Sequence, residues 1–126
     1  MSTSCLIGYI ENDKVRYTYC HYDGYIAWTG RLLHQWLVSH EQVVDLVDGG
    51  DISAISDRTG GDGCAVTRLG GFDEPVECDL NDFVLSERKT FDHLYLWDGT
   101  TWWVRSVDLP AVMKLEDAIK WREEAQ

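Results

Sequence analysis

Two pairs of segments are rich in β-forming apolar residues, and a short polar turn joins the members of each pair. Within residues 15–20, apolar and more polar residues alternate with the two-residue period of a strand. Residues 6–10 and 15–20 flank Glu-Asn-Asp-Lys, whose Asn-Asp pair tolerates left-handed backbone. Residues 94–97 and 102–107 flank a turn that begins with Asp-Gly, a dipeptide that strongly favours a tight hairpin turn. The pattern therefore predicts two β-hairpins, one near each end of the chain.

Other segments carry apolar residues at the three- and four-residue spacing of an amphipathic helix. The predicted helices are residues 26–38, a segment after Ser39, residues 80–88 and residues 111–124. Ser39 and Gln42 match a capping box, and Gly49-Gly50 ends the helix that they begin. Gly30 lies inside the first helix at a cost of about 1 kcal/mol relative to alanine, so we expect close packing against it.

The middle of the chain supplies the remaining elements. Aspartate and glycine are frequent in residues 51–63, which is typical of a mobile surface loop. Residues 64–69 are typical of a strand, residues 70–75 of a turn, and residues 76–78 of a short partner strand. We therefore predict one domain over residues 1–126 in the α+β class, with an antiparallel β-sheet built from hairpins and packed against three to four helices.

The charge of the chain narrows the class of partner. Its 22 acidic and 11 basic residues give a formal net charge of −11, which opposes sequence-independent binding to nucleic-acid phosphates. The sequence also lacks the roughly 20 consecutive apolar residues of a membrane span and the basic, then apolar start of a signal peptide. We therefore expect a cytoplasmic protein that binds neither nucleic acid nor membrane directly.

Cysteine and histidine spacing gives no metal-binding pattern. The four cysteines are Cys5, Cys20, Cys64 and Cys78, and none forms a Cys-x-x-Cys knuckle with another. In a reducing compartment we expect them to be free thiols that pack as small apolar residues. His34, His40 and His93 are expected at the surface. The sequence therefore predicts no metal site.

Catalytic motifs are missing from the glycine and serine segments. The glycine clusters are not followed by the Lys-Ser/Thr of a phosphate-binding loop, and no serine lies in a Gly-x-Ser-x-Gly elbow. Carboxylate pairs carry no information at this charge, because any fold brings some acids together. We therefore expect no cofactor and no enzymatic activity.

Residues 19–25, Tyr-Cys-His-Tyr-Asp-Gly-Tyr, are a dense run of aromatic and hydrogen-bonding groups where the first hairpin meets the first helix. One interpretation is structural, with Asp23 capping the helix, Gly24 at positive φ and the tyrosines joining helix to sheet. In the other, His21 and Asp23 lie in an aromatic-walled recess that binds a planar ligand or a partner's side chain. The candidate binding residues here are Tyr19, His21, Tyr22, Asp23 and Tyr25.

Two adjacent indoles complete the candidate binding residues, Trp102 and Trp103. Neighbouring strand residues point to opposite faces of a sheet, so both rings cannot lie in one core and we expect one to be exposed. An exposed indole beside a turn is often a contact residue in protein interfaces. The alternative is that the last helix covers it, through Trp121.

The motif and its neighbours resemble a family of small uncharacterised phage and prophage proteins. The shared pattern is Tyr-x-His-(Trp/Tyr)-Asp-Gly-Tyr at residues 19–25, followed by matching segments at residues 30–33, 43–44, 50–53 and 95–103. Tyr22 replaces a tryptophan of the family pattern, and Ile26 replaces a proline. The resemblance covers residues 6–104 and implies a virus-encoded accessory protein in the host-cell cytoplasm.

We therefore expect a small acidic protein that binds and modulates a host protein, such as a defence or nucleic-acid-handling factor. A one-sided field of carboxylates would favour competition for a basic groove, whereas an even distribution would serve solubility alone. The alternative is a small-molecule binder that sequesters a nucleotide-like signal, which requires an arginine beside the aromatic recess. An enzyme that uses His21 and Asp23 as acid and base is a third hypothesis. The pattern does not determine an oligomeric state.

Overall fold

A computed structural model describes residues 4–22, 24–50, 52–57, 63–68, 76–79, 93–107 and 109–124. Within these residues the chain forms eight strands and three helices, which confirms the α+β class. The strands are β1 (Cys5–Glu11), β2 (Lys14–Cys20), β3 (Ile52–Asp57), β4 (Cys64–Arg68), β5 (Val76–Asp79), β6 (His93–Trp97), β7 (Trp102–Ser106) and β8 (Met113–Lys114). The helices are α1 (Arg31–Trp36), which directly continues a π-helical turn (Ile26–Gly30), α2 (His40–Asp48) and α3 (Leu115–Glu124).

The strands belong to one sheet in the order β4-β3-β2-β1-β6-β7-β8, and β5 pairs with β2 beside this path. Both predicted hairpins are confirmed, because β1 pairs with β2 and β6 pairs with β7 in antiparallel register. Their turns contain the expected left-handed residues, with φ of 53° at Asn12, 64° at Asp13 and 108° at Gly99. Local turn chemistry therefore determines both hairpins.

The prediction of a purely antiparallel sheet is wrong, because two strand pairs are parallel. β1 runs parallel to β6, with Cys5 opposite His93 and Tyr9 opposite Trp97. β2 also meets β3 in parallel orientation at its carboxyl end. The connection between β2 and β3 holds both α1 and α2, and parallel strands need a long crossover of this kind.

The helices follow the predicted pattern with different bounds. The first begins at Ile26 as predicted, but as a π-helical turn, and the α-helix that continues it ends at Trp36. The capping box of α2 is confirmed: Ser39 Oγ accepts a hydrogen bond from the Gln42 amide, and the Gln42 side chain accepts one from the Ser39 amide. α3 begins later than predicted, at Leu115, because the residues before it pair with β7. The helix predicted at residues 80–88 lies outside the described residues.

The largest local error falls on the segment predicted as a loop over residues 51–63. Six of its residues form β3, which pairs with β2 on one side and with β4 on the other. The strand predicted at residues 64–69 is confirmed as β4. The short strand at residues 76–78 is also present as β5, but its partner is β2 and not β4. The turn predicted at residues 70–75 lies outside the described residues.

The main core lies between the sheet and the three helices, and it takes alternate side chains of β1, namely Cys5, Ile7 and Tyr9. A smaller cluster on the opposite face of the sheet contains Leu6, Val15 and Leu94. Residues on both faces of β1 are therefore buried, and this strand lies at the centre of the described fold.

Hydrogen bonds fix both ends of α2 to the sheet. At its first residue, His40 Nδ1 accepts a hydrogen bond of 3.2 Å from the Trp97 indole. At its last residue, Asp48 Oδ1 accepts one of 2.9 Å from the Tyr9 hydroxyl and one of 3.3 Å from Arg16 Nε. Burial and the Asp48 bond raise the pKa of Tyr9 to about 12, so the neutral phenol is the form that the fold favours.

This shift predicts an alkaline loss of stability that depends on Tyr9. Because the folded pKa of about 12 exceeds the ordinary value of 10.0, the stabilisation is complete below pH 10 and is lost as the pH rises towards 12. Because Asp48 is partly exposed and solvent screens the pair, the loss is about 1–2 kcal/mol. Urea unfolding at a series of pH values should give a shallower decline for Tyr9→Phe than for the wild type. Tyr22→Phe, at an exposed position, is the control, and equal slopes for wild type and Tyr9→Phe contradict this account.

Candidate functional site

The backbone that follows β2 is fixed to β3 beyond the last residue of the strand. The His21 amide donates a hydrogen bond of 2.9 Å to the Ile52 carbonyl, and the Tyr22 amide donates one of 2.9 Å to the Ser53 carbonyl. The Cys20 thiol donates to the Tyr22 carbonyl at 3.6 Å. The first residues of the predicted binding motif are therefore held as an extension of the sheet.

Gly24 fixes the other side of this junction by packing directly on β1. A Cβ atom added there would lie 2.8 Å from Cys5 Cβ and 3.0 Å from Cys5 N, which is closer than real carbon contacts come. The buried Tyr95 hydroxyl donates a hydrogen bond of 2.7 Å to the Gly24 carbonyl. The prediction that Gly24 takes a positive φ is wrong, because the residue is small to allow this close approach and not to allow a left-handed turn.

Two thiols lie beneath the junction. Cys5 and Cys20 are opposite each other in the β1–β2 register, and both are fully buried. Burial raises the pKa of the Cys5 thiol well above its usual value, and the hydrogen bond with Cys20 adds to this shift. All four cysteines are free thiols. Cys5 and Cys20 therefore serve as small packing residues that let Gly24 approach the sheet.

The two tyrosines of the junction point outward from this fixed backbone. Tyr22 is 49% exposed and Tyr25 is 37% exposed. Tyr25 is also the N-cap of the π-helical turn: its carbonyl accepts hydrogen bonds from the amides of Trp28 and Gly30, and its side chain makes no capping bond. Asp23, predicted either to cap this helix or to bind a ligand, lies outside the described residues.

Tyr19 and His21 lie together on the sheet side of the same junction. Their ring centroids are 3.9 Å apart with the rings nearly perpendicular, and His21 is 6.3 Å from the ring of Tyr22. Tyr19 and His21 are both half-buried, so they add less accessible surface to the site than the exposed tyrosines do. The junction therefore places the rings of Tyr19, His21 and Tyr22 side by side and presents Tyr22 and Tyr25 to solvent.

Trp102 and Trp103 point to opposite faces of the sheet, as predicted. Trp102 is buried in the main core, where its indole donates a hydrogen bond of 2.8 Å to the Leu37 carbonyl. Trp103 is half-buried, and its indole donates one of 2.7 Å to Asp98 Oδ2. Burial acts to raise the pKa of Asp98, but the hydrogen bonds from Trp103, Thr100 and Thr101 outweigh it and the pKa is lowered.

The tryptophans are not brought together with the tyrosines. The motif follows the end of β2 that lies opposite Cys5, whereas Trp102 pairs with Trp97, which lies opposite Tyr9 at the other end of β1. The six described candidate residues, which leave out Asp23, therefore divide between two ends of the sheet. Only the tyrosine end combines exposed aromatic rings with a fixed backbone.

The histidines differ from the sequence expectation in two cases. His34 is exposed, as predicted. His40 is half-buried under the Trp97 indole, and His93 is buried, with Ser106 Oγ at 2.8 Å from its Nδ1. The expectation of surface positions is therefore wrong for His40 and His93, because each makes a hydrogen bond that links two elements of the fold.

Two clefts are open at other places on the described surface, and of their described lining only Trp102 was a candidate from the sequence. The first lies beside the β6–β7 turn and includes Thr100, Thr101 and Glu116. The second includes Arg68, whose guanidinium donates hydrogen bonds to the Leu46 and Gly50 carbonyls. No local signal marks the other lining residues, because separate parts of the chain meet only in the fold.

Neither a metal-binding cluster nor a membrane-spanning helix occurs among the described residues. Among them, no group of three or more His, Cys, Asp and Glu side chains is placed to hold a metal ion. None of the helices in the described ranges has the length and apolar character needed to cross a bilayer. Comparison of the chain with protein-family models, with curated proteins and with solved structures gives no match.

Proposed function

We propose that this protein is a phage-encoded accessory protein that binds a host protein through the tyrosine surface, defined as Tyr22 and Tyr25 with the supporting His21. The observation that carries the proposal is the exposure of 49% at Tyr22 and 37% at Tyr25 on a backbone that is fixed by β3, Cys5 and Tyr95. Tyrosine is enriched among the residues that dominate binding energy in protein interfaces.

A fixed backbone matters because binding costs free energy when it orders mobile groups. Each immobilised side chain costs about 0.5–1.5 kcal/mol, and a mobile loop adds further cost. In the tyrosine surface, the backbone is already ordered in the folded protein by the sheet-like hydrogen bonds of His21 and Tyr22 and by the packing of Gly24. Partner binding therefore does not have to order it. Two tyrosine rings have few rotatable bonds, so most of their contact area is available to a partner at low entropic cost.

The net charge of −11 supports a partner with a basic surface. Described carboxylates occur on several elements, including Glu41 and Asp45 of α2, Glu77 and Asp79 of β5, and Glu116 and Asp117 of α3. A charge spread in this way steers a basic partner towards the molecule and accelerates association, and salt weakens the effect. The described charges therefore favour steering over mimicry by one continuous acidic face.

The small-molecule alternative finds no support in the described clefts. An anionic ligand needs positive donors next to aromatic walls. The cleft that includes Arg68 has no aromatic residue among its described lining. The cleft beside the β6–β7 turn has two tryptophans but no arginine or lysine among its described lining.

The proposal is tested by affinity capture with three forms of the full chain. The wild type should capture one specific host protein at low salt, and Tyr22→Ser/Tyr25→Ser should lose it, because each hot-spot residue contributes about 2 kcal/mol, roughly thirtyfold in affinity. Val112→Ser is the matched control, since Val112 is 48% exposed and adjoins β8, four strands from β2. Capture of the same protein by the double variant, or no specific protein with the wild type, would contradict the proposal.

A further inference from the structure

A cleft of about 220 Å³ lies at the end of the sheet away from the tyrosine surface. It opens between the end of α1, the turn that joins β6 to β7, and the first turn of α3. Its described lining consists of His34, Leu37, Val38, Trp97, Thr100, Thr101, Trp102 and Glu116. The volume suits the end of one large side chain better than a whole cofactor.

The floor of the cleft is apolar and has no indole N–H to offer to a ligand. Trp97 and Trp102 are 3% and 4% exposed, so very little of either ring is accessible from the cleft. The Trp97 N–H is donated to His40 Nδ1 and the Trp102 N–H to the Leu37 carbonyl. An anion that entered would therefore find no donor from either indole.

The two threonine hydroxyls of the wall act as hydrogen-bond acceptors towards the cleft. Thr100 Oγ1 donates its single proton to Asp98 Oδ1 at 3.1 Å. The hydroxyls of Thr100 and Thr101 are 3.4 Å apart, and because the Thr100 proton is already used, Thr101 is the donor of that contact. Both hydroxyl protons are thus directed within the turn, and the remaining lone pairs are available to a ligand.

The charge of the cleft favours the same kind of ligand as the hydrogen-bond acceptors of its wall. Glu116 supplies a carboxylate, and the described lining includes neither lysine nor arginine. Asp98 lies in the same turn as Thr100, and the whole chain has a net charge of −11. The cleft therefore favours a cation that carries several hydrogen-bond donors and an apolar or planar body.

We propose that this cleft binds the guanidinium group of an arginine side chain presented by a partner protein. Arginine has a planar head with five N–H donors, which match a lining that offers the Glu116 carboxylate and the two threonine hydroxyls. Its weak hydration suits the apolar floor of the cleft better than the strongly hydrated ammonium of lysine does. This inference does not rest on the tyrosine surface, because it concerns other residues at the opposite end of the sheet.

The test is an NMR titration of the full chain with a blocked glycyl-arginyl-glycine peptide. Saturable shifts are expected in the Thr100 and Thr101 amides and in the Trp97 and Trp102 indole N–H signals, with a Kd on the order of 1 mM. The same peptide with citrulline, which has the arginine shape without its charge, should bind at least about threefold more weakly. Equal binding of the two peptides overturns the proposal.

Variants separate the cleft from the general charge of the molecule. Glu116→Gln should weaken binding of the arginine peptide about threefold. Glu41→Gln removes an equivalent exposed carboxylate from the first turn of α2 and should leave the affinity unchanged. Equal losses in both variants, or arginine-induced shifts confined to residues outside the cleft, overturn the proposal. The titration does not involve the tyrosine surface, so its result and the result of the host-capture test are independent of each other.

Discussion

Replacing Trp102 with alanine should lower the free energy of unfolding by about 3–5 kcal/mol, as expected for truncation of a buried aromatic ring. The ring is 4% exposed and lies 5.4 Å from the ring of Trp97 in the main core. Its removal also leaves the Leu37 carbonyl without the indole donor at 2.8 Å, and an unsatisfied buried acceptor adds to the cost. Urea-induced unfolding followed by circular dichroism measures this loss.

Trp103→Ala is the matched control for this prediction, because the same side chain is removed one residue away on the other face of β7. Trp103 is half-buried, and its hydrogen bond goes to the exposed Asp98 carboxylate. We expect a loss of about 1–2 kcal/mol, from one hydrogen bond and partial burial. A loss for Trp103→Ala as large as that for Trp102→Ala would contradict the assignment of Trp102 to the core.

Gly24→Ala should destabilise the junction beneath the tyrosine surface. The added Cβ would meet Cys5 Cβ at 2.8 Å and the Cys5 backbone nitrogen at 3.0 Å, and backbone atoms cannot move aside as a side-chain end can. Overpacking of this kind costs about 1–3 kcal/mol. Chemical denaturation should show this loss, and the variant should also capture less of the host protein, because the backbone next to Tyr25 is displaced.

Gly30→Ala provides the comparison for Gly24→Ala. Gly30 has helical dihedral angles, with φ −58° and ψ −46°, so alanine gains about 1 kcal/mol of helix propensity. Its added Cβ would meet flexible side-chain ends, Leu115 Cδ1 at 3.2 Å and Tyr95 Cε1 at 3.3 Å. The two effects offset each other, and we expect a change within about 1 kcal/mol. A greater loss for Gly30→Ala than for Gly24→Ala would contradict the packing described at the junction.

Features with a local physical cause could be predicted from the sequence. The Asp-Gly turn determines the β6–β7 hairpin, and the hydrogen bonds between Ser39 and Gln42 determine where α2 begins. The opposite orientation of Trp102 and Trp103 follows from the two-residue period of a strand. The strand period does not show which of the two indoles lies in the core, because that depends on the positions of Leu37 and Trp97.

Features that arise between distant segments could not be predicted. The parallel pairing of β1 with β6 joins Cys5 to His93, and no turn or spacing in the sequence marks such a pair. β3 could not be predicted for a related reason. Its serines and aspartate match loop composition, and only pairing with β2 and β4 makes the segment a strand.

The candidate site was found from sequence in part. The density of aromatic residues located the junction, and the structure shows that Tyr22 and Tyr25 are its exposed rings. The sequence suggested a turn for Gly24, whereas the close approach to Cys5 is the physical reason for glycine there. The cleft beside the β6–β7 turn contains one sequence candidate, Trp102, but its Glu116 could not be predicted because it comes from a different part of the chain.

The central claim is that Tyr22 and Tyr25 contact the partner, and site-specific photo-cross-linking tests it most directly. A photoreactive phenylalanine derivative would be placed at position 22, at position 25 or at position 112 of the full chain. We predict that the captured host protein is cross-linked from positions 22 and 25 and not from position 112, four strands away. Cross-linking from position 112 alone, or equally from all three positions, would contradict the claim.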